Sequence, residues 1–244
     1  MTIDSSTSKR SMGTMFKKIA VAAAFGACSF AQAGVLDFEG YTGAPFMTSS
    51  TSHTFGKYWV ESYGGTAPGD LVGAIVDGAD NDLCIGISCP VNNKSNYYAA
   101  LDDGYLFFGL TDNSNFMVKS LQASFIGAGQ VSYPATAGLL VLQGFDAFNA
   151  LVGNGLQIGL SGPNAAGNFN FSTYDLSGTT FGKTYFSSVR VLGYACDASG
   201  SCSRAGDLGN IALDNVVTVP EPTTWAMFGL GLIGLSVFSR RHSA

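Results

Sequence analysis

The chain reads as an all-β sandwich or barrel, and three features predict this. Glycine supplies 32 of 244 residues, nearly twice the usual ~7%. Clusters of Gly, Asn, Asp and Ser punctuate residues 34–219 at the roughly 8–12-residue spacing of sandwiches and barrels. Between them lie short runs rich in β-branched and aromatic residues, several of which alternate apolar and polar side chains with period two. No long amphipathic helix and no internal repeat interrupts them. Repeat architectures are therefore disfavoured.

The elements follow in chain order. Residues 1–14 form a polar leader, and Met12 and Met15 are alternative starts. Lys17-Lys18, the apolar Ile19–Phe30 and Ala31-Gln32-Ala33 have the order of a secretory signal peptide, with signal peptidase acting after Ala33 and Gly34 opening the mature chain. Cys28, in Phe25-Gly26-Ala27-Cys28, keeps a lipoprotein alternative open, although Phe25 and Gly26 fit a lipobox poorly.

Ten β-runs are predicted: 35–38, 58–63, 71–76, 105–110, 117–126, 139–145, 156–160, 169–174, 188–194 and 211–219. In the ninth, Val189 and Val191 face one way and Arg190 the other. Within 139–152 there is room for a turn or two of helix around Ala147–Leu151. Asp102-Asp103-Gly104 reads as a hairpin turn.

Residues 34–219 suit one domain, long enough to bury a core. They carry 15 acidic and 6 basic residues, a net charge near −9. Nucleic-acid binding needs a basic surface, so nucleic acid is excluded as a partner. With Cys28 removed, four cysteines remain, as Cys84/Cys89 and Cys196/Cys202. Four cysteines allow three connectivities, of which local pairing, Cys84–Cys89 and Cys196–Cys202, is the simplest. Zinc is the competing reading, but it favours closer spacing or histidine partners. His53 is the one histidine of this region and lies in a polar stretch read as a loop. No G-x-S-x-G occurs, so no Ser-His-Asp or Cys-His machinery is readable and the expectation is a non-enzyme. A glycoside-acting enzyme with paired carboxylates is the residual alternative, since it depends on a spatial separation that sequence does not give.

Two further clusters carry side chains of interest. Asp77, Asp80 and Asp82 could wrap a cation, but they lack EF-hand spacing and read as an acidic turn. Tyr58, Trp59 and Tyr63 are candidates for stacking on sugar rings, with Tyr97-Tyr98 a second group. A lone body tryptophan equally suits a core.

The last residues form a third segment, 220–244. Pro220-Glu221-Pro222 is expected to be extended and exposed, since proline continues neither helix nor ladder. An uncharged run, Trp225–Phe238, follows, and then Arg240-Arg241. As a helix the run spans about 21 Å, short of the ~30 Å hydrocarbon core. Its glycines, Gly229, Gly231 and Gly234, match G-x-G-x-x-G, but not in the strand–helix context of a dinucleotide site. A plain membrane anchor is the bland alternative. The order of the three parts resembles the sorting signal of PEP-CTERM proteins. That resemblance implies exosortase as a processing partner and a short transmembrane helix. It also implies transient anchoring in the inner membrane, then delivery to the periplasm, envelope or exterior of a polysaccharide-producing Gram-negative bacterium.

The body carries a second resemblance. Its opening Asp37-Phe38-Glu39 and closing Ala212-Leu-Asp214-Asn215-Val216 resemble the first and last strands of lectin-like and carbohydrate-binding jelly rolls. The resemblance implies a jelly-roll-like antiparallel β-sandwich over 34–219, with these two strands side by side. It further implies a structural calcium ion shared by Glu39 and Asp214, with Asp37 as alternate; no other cofactor is expected. The functional expectation is a structural or surface protein of the envelope or extracellular matrix. The alternative is a carbohydrate-binding surface module with exopolysaccharide as partner.

Overall fold

A computed structural model describes residues 32–221, apart from 44, 66, 81, 129–131, 205 and 207. The leader, most of the signal peptide, Ala31, and Pro222 through Arg240-Arg241 lie outside the described residues. No described helix is long and apolar enough to cross a membrane.

The compact unit Ala33–Glu221 is a sandwich of two antiparallel sheets. Its strands are β1 (Gly34–Leu36), β2 (Phe46–Thr48), β3 (Thr51–Phe55), β4 (Tyr58–Tyr63), β5 (Leu71–Asp77), β6 (Asn96–Ala100), β7 (Tyr105–Leu110), β8 (Phe116–Phe125), β9 (Thr136–Phe145), β10 (Leu151–Ser161), β11 (Ser172–Asp175), β12 (Ser188–Cys196), β13 (Cys202–Ser203) and β14 (Ile211–Pro220). The first sheet runs β11-β8-β14-β6-β5-β2, with β1 also on β14. The second runs β10-β9-β12-β7-β4-β3, with β13 on β12. The chain passes repeatedly between sheets, as a jelly roll requires.

The core lies between the sheets, where alternate residues of each strand meet. Val60 and Phe108 from the second sheet face Tyr98, Phe116 and Leu213 from the first. Two buried tyrosines bridge the layers through their hydroxyls. Tyr58 shares a 2.8 Å hydrogen bond with Thr218 Oγ1, and Tyr98 donates to Ser62 Oγ at 3.1 Å. Burying a phenol needs such a partner.

The first sheet is covered on its outer face too. Ala74, Val76, Tyr97, Ala99, Ala212 and Phe171 pack there with Cys89, under the loop stapled by the Cys84–Cys89 disulfide. Strand β5 is accordingly buried at five consecutive positions rather than at alternate ones. The second disulfide, Cys196–Cys202, joins register partners on β12 and β13. Both local pairings are therefore present, and zinc is excluded at these sulfurs.

Several expectations are corrected. Residues 147–150 form the β9–β10 turn rather than a helix, because Asp146 Oδ1 accepts the Phe148 and Ala150 amides and closes a tight loop. The one described helix is a single 3-10 turn, Phe181–Lys183. Asp102 and Asp103, with φ of 52° and 53°, make a turn from the first sheet into the second, not a hairpin. His53 sits on edge strand β3, its Nδ1 3.3 Å from the Tyr41 hydroxyl, rather than in a loop. Pro220 ends β14 as a paired residue opposite Phe116. It is tolerated because the next amide, Glu221 N–H, points at β8. The missing proline N–H therefore faces the side where β1 has already ended at Gly34↔Thr218.

Candidate functional site

The outer face of the second sheet is lined by aromatic rings. Strand β4 alternates strictly, so Tyr58, Val60 and Ser62 point inward while Trp59, Glu61 and Tyr63 point outward. On β7, Tyr105 and Phe107 point outward beside them. Antiparallel register sets Tyr63 opposite Tyr105, Glu61 opposite Phe107 and Trp59 opposite Gly109. The next strands bring Arg190 opposite Phe107, Gln143 opposite Arg190, and Phe145 opposite Ser188.

The result is a continuous platform. Tyr63 stacks on Tyr105 at 5.7 Å, Phe107 lies 5.7 Å from Tyr63, and Phe145 lies 5.5 Å from Phe107. Trp59 lies across Gly109, where even a Cβ would come within 2.6 Å of the indole.

Arg190 occupies the centre. Its guanidinium lies 5.4 Å from the Phe145 ring, 5.6 Å from Phe107 and 5.8 Å from Tyr105. Its Nε donates to Gln143 Oε1 at 2.8 Å, and Nη2 donates to the same oxygen. The Arg204 guanidinium lies 5.2 Å from the Tyr105 ring and donates to the Asp103 carbonyl. Arg190 and Arg204 are the two arginines between Gly34 and Val219. Both lie against this one platform in an otherwise acidic domain. Tyr63 donates to Glu61 Oε2 at 2.8 Å, and this bond, with burial, pushes its phenol up to about 12.

The stacking residues expected from sequence are thus divided. Trp59 and Tyr63 belong to the platform. Tyr58 does not: it is 1% exposed and bonded to Thr218, so no ligand can stack on it. Tyr97 and Tyr98 are buried as well. Nothing in the local sequence marks Phe107, Tyr105, Phe145 or Arg190 as members of the platform. The alternation of β12 sets Arg190 opposite to Val189 and Val191, but the neighbours of β12 are set by long-range pairing that no local pattern reveals.

Asp214 and Glu39 lie near one another at a second place, where the sheet changes neighbour, and Asp37 precedes Glu39 in the turn there. One edge of β14 pairs with β6 through Ile211–Leu213 and then with β1 through Val216–Thr218. Asp214 falls in the gap, beside a bulge against β8, with Asn215 in the left-handed region at φ 48°. Phe38, at φ 56°, turns the chain out of β1 and presents Glu39 to the start of β6, where Glu39 Oε1 accepts the Asn96 amide at 2.8 Å.

Asp214 has no exposed surface. Its Oδ2 accepts from Asn93 Nδ2 at 2.9 Å, Ser95 Oγ at 2.8 Å and Asn215 Nδ2 at 2.9 Å. Its Oδ1 accepts the Asn215 amide at 2.7 Å. Burial pushes the carboxyl above the usual range; the donors hold it down in part, and the Glu39 charge adds to the rise. Asp37 Oδ1 accepts the Glu39 amide at 3.2 Å and so shapes the turn. In the 77–82 segment, Asp77 and Asp80 accept the amides of Ala79 and Asp82, which makes ordinary acidic turns of them.

No curated protein matches the chain. Among solved structures, the enzymatically active domain of tailspike protein 4 from bacteriophage CBA120 is 13% identical over 68% of this chain, at a TM-score of 0.31. The chain spans only 20% of that protein's length. A family 16 carbohydrate-binding module is 12% identical over 60% of this chain and 84% of its own length, at a TM-score of 0.25. Likenesses this distant say nothing of what the chain binds. Residues 218–241, by contrast, match the PEP-CTERM protein-sorting motif. With Pro220-Glu221-Pro222 inside that match, the chain carries the sorting signal of an exported, exosortase-processed envelope protein.

Proposed function

We propose that the sandwich is a glycan-binding surface module, and that its structural role in the envelope or matrix is to hold polymer there. The observation that carries this reading is the outward aromatic platform with Arg190 at its centre. Flat rings offer apolar faces to pyranose rings at little entropic cost. Glu61 flanks them with a carboxylate acceptor for hydroxyls, and Gln143, whose Oε1 is taken by Arg190, flanks them with its amide N–H donors. A guanidinium bonded to a neutral amide keeps its charge for an incoming carboxylate, which it can grip with two parallel bonds. The preferred ligand is therefore an acidic polysaccharide, bound without catalysis. The stapled loop already covers the outer face of the first sheet, so the second sheet is the one that offers a binding surface.

Affinity electrophoresis tests this reading with polygalacturonate as the acidic probe and dextran as the neutral one. The protein should be retarded by polygalacturonate. Phe107→Ala should weaken retention about tenfold or more, the order of one lost stacking platform. Arg190→Gln should remove the preference over dextran. No retardation of the folded protein by either polymer would overturn the reading.

The proposal includes a calcium ion at the β1–β6–β14 junction. The site offers a hard cation a buried carboxylate, Asp214, with the Glu39 charge nearby and Ser95 Oγ at 2.8 Å; Asn93 donates its Nδ2 to Asp214, so it would have to turn its Oδ1 inward to take part. No group of three His, Cys, Asp or Glu side chains that could hold a metal occurs among the described residues. Amide, hydroxyl and carbonyl oxygens would therefore complete the six to eight that calcium takes. The ion would tie the first strand to the last.

A further inference from the structure

The match to the sorting motif begins at Thr218, yet Thr218, Val219 and Pro220 are the last three residues of β14. They pair with Val118, Met117 and Phe116 of β8. Contact continues past the strand. The Glu221 amide donates to the Asn115 carbonyl at 2.8 Å, and Asn115 Nδ2 donates to Glu221 Oε2 at 3.1 Å. Asn115 is itself fixed, because Ser187 Oγ donates to its Oδ1 at 2.7 Å and neighbouring Phe116 exchanges two backbone bonds of 2.9 Å with Phe186. The glutamate at the centre of the motif is thus held by the body at both its amide and its carboxylate.

Only Pro222, Thr223 and Thr224 separate Glu221 from Trp225, the start of the apolar run. Fully extended, three residues reach about 10 Å. An enzyme reading an extended peptide around Glu221 needs residues on both sides of it. Those on the N-terminal side are occupied by β8.

We propose that Asn115 is a positioning residue for sorting: it clips Glu221 to the start of β8, and the sorting enzyme reads the motif only after this end of β14 peels away. Strand ends open locally at a fraction of the global unfolding free energy. The clip therefore sets how often the motif is presented in the folded protein. The inference rests on the sorting motif and is independent of glycan binding.

The experiment follows the full-length precursor, co-produced with an exosortase, by pulse-chase and intact mass. Asn115→Ala removes the side-chain half of the clip and should speed processing roughly three- to tenfold, the net weight of one ordinary, solvent-exposed hydrogen bond. Asn115→Asp, which sets like charge against Glu221, should do so at least as much. Val191→Ala, in the core strand of the other sheet, is the control for general destabilisation. It should lower the melting temperature without speeding processing. A Gly-Ser insertion of five residues between Val217 and Thr218 frees the motif from the strand. Processing should then be fast, and Asn115→Ala should add nothing. Unchanged or slower processing in Asn115→Ala, or equal acceleration by Val191→Ala, would overturn the proposal.

Discussion

A carboxylate with no exposed surface needs compensation, and Asp214 takes it from Asn93, Ser95 and Asn215 while Glu39 stands nearby. Burial raises its pKa. Between the ordinary value near 3.9 and the raised one, the folded metal-free protein holds a proton that the unfolded chain has released. The stability supplied by this group is thus fully present below the ordinary value and declines as pH rises through the window. Calcium reverses the preference, because it binds the ionised form. Calcium at a hundredfold excess over its Kd should raise stability by about 2.7 kcal/mol, or roughly 5–10 °C in a domain of this size. The gain should be full at pH 7.5 and fade as pH falls through the Asp214 titration. Glu39→Ala and Asp214→Ala should both abolish it. Calorimetry with and without EDTA measures this, and identical melting at pH 7.5 would remove the metal.

Each strand carries two faces, and how well it could be read depends on how different they are. β4 and β7 alternate, and both were bounded at the residues observed. β6, Asn-Tyr-Tyr-Ala-Ala, is buried on both faces and shows no period, so the sequence predicts no strand there. β3, Thr-Ser-His-Thr-Phe, is a polar edge and reads as a loop. The pairing of the first strand with the last, which the resemblance implied, is present, and it is what brings Glu39, just after β1, near Asp214 within β14. The platform was legible only in Trp59 and Tyr63, since the approach of Phe107 and Arg190 depends on the strand order β12-β7-β4. Gly109 gives an element-level test of that platform. Its backbone φ is not in the left-handed region, so alanine is tolerated there, but the added Cβ must lift the Trp59 indole. Gly109→Ala should weaken polygalacturonate binding about tenfold while leaving the melting temperature nearly unchanged. Retained affinity would show that Trp59 takes no part in binding.

For the whole molecule, the two disulfides lie away from the intersheet core. Cys84–Cys89 closes the loop over the outer face of the first sheet, and Cys196–Cys202 ties β13 to the end of β12. Their sequence separations of 5 and 6 residues close small loops. In the chain-entropy picture each supplies about 2 kcal/mol. The core between the sheets holds Phe108, Phe116, Leu142, Val191 and Leu213 and contains neither bridge. An exported protein reduced in vitro should therefore lose about 4 kcal/mol and still fold at 25 °C. Reduction should also act unevenly. Amides under the stapled loop, around Tyr97 and Phe171, should exchange faster with deuterium, whereas those of β7 and β9 keep their protection. Urea melts and hydrogen exchange on the reduced, alkylated protein would check both points. Loss of the cooperative transition on reduction would mean that the bridges, and not the packed sheets, hold the fold.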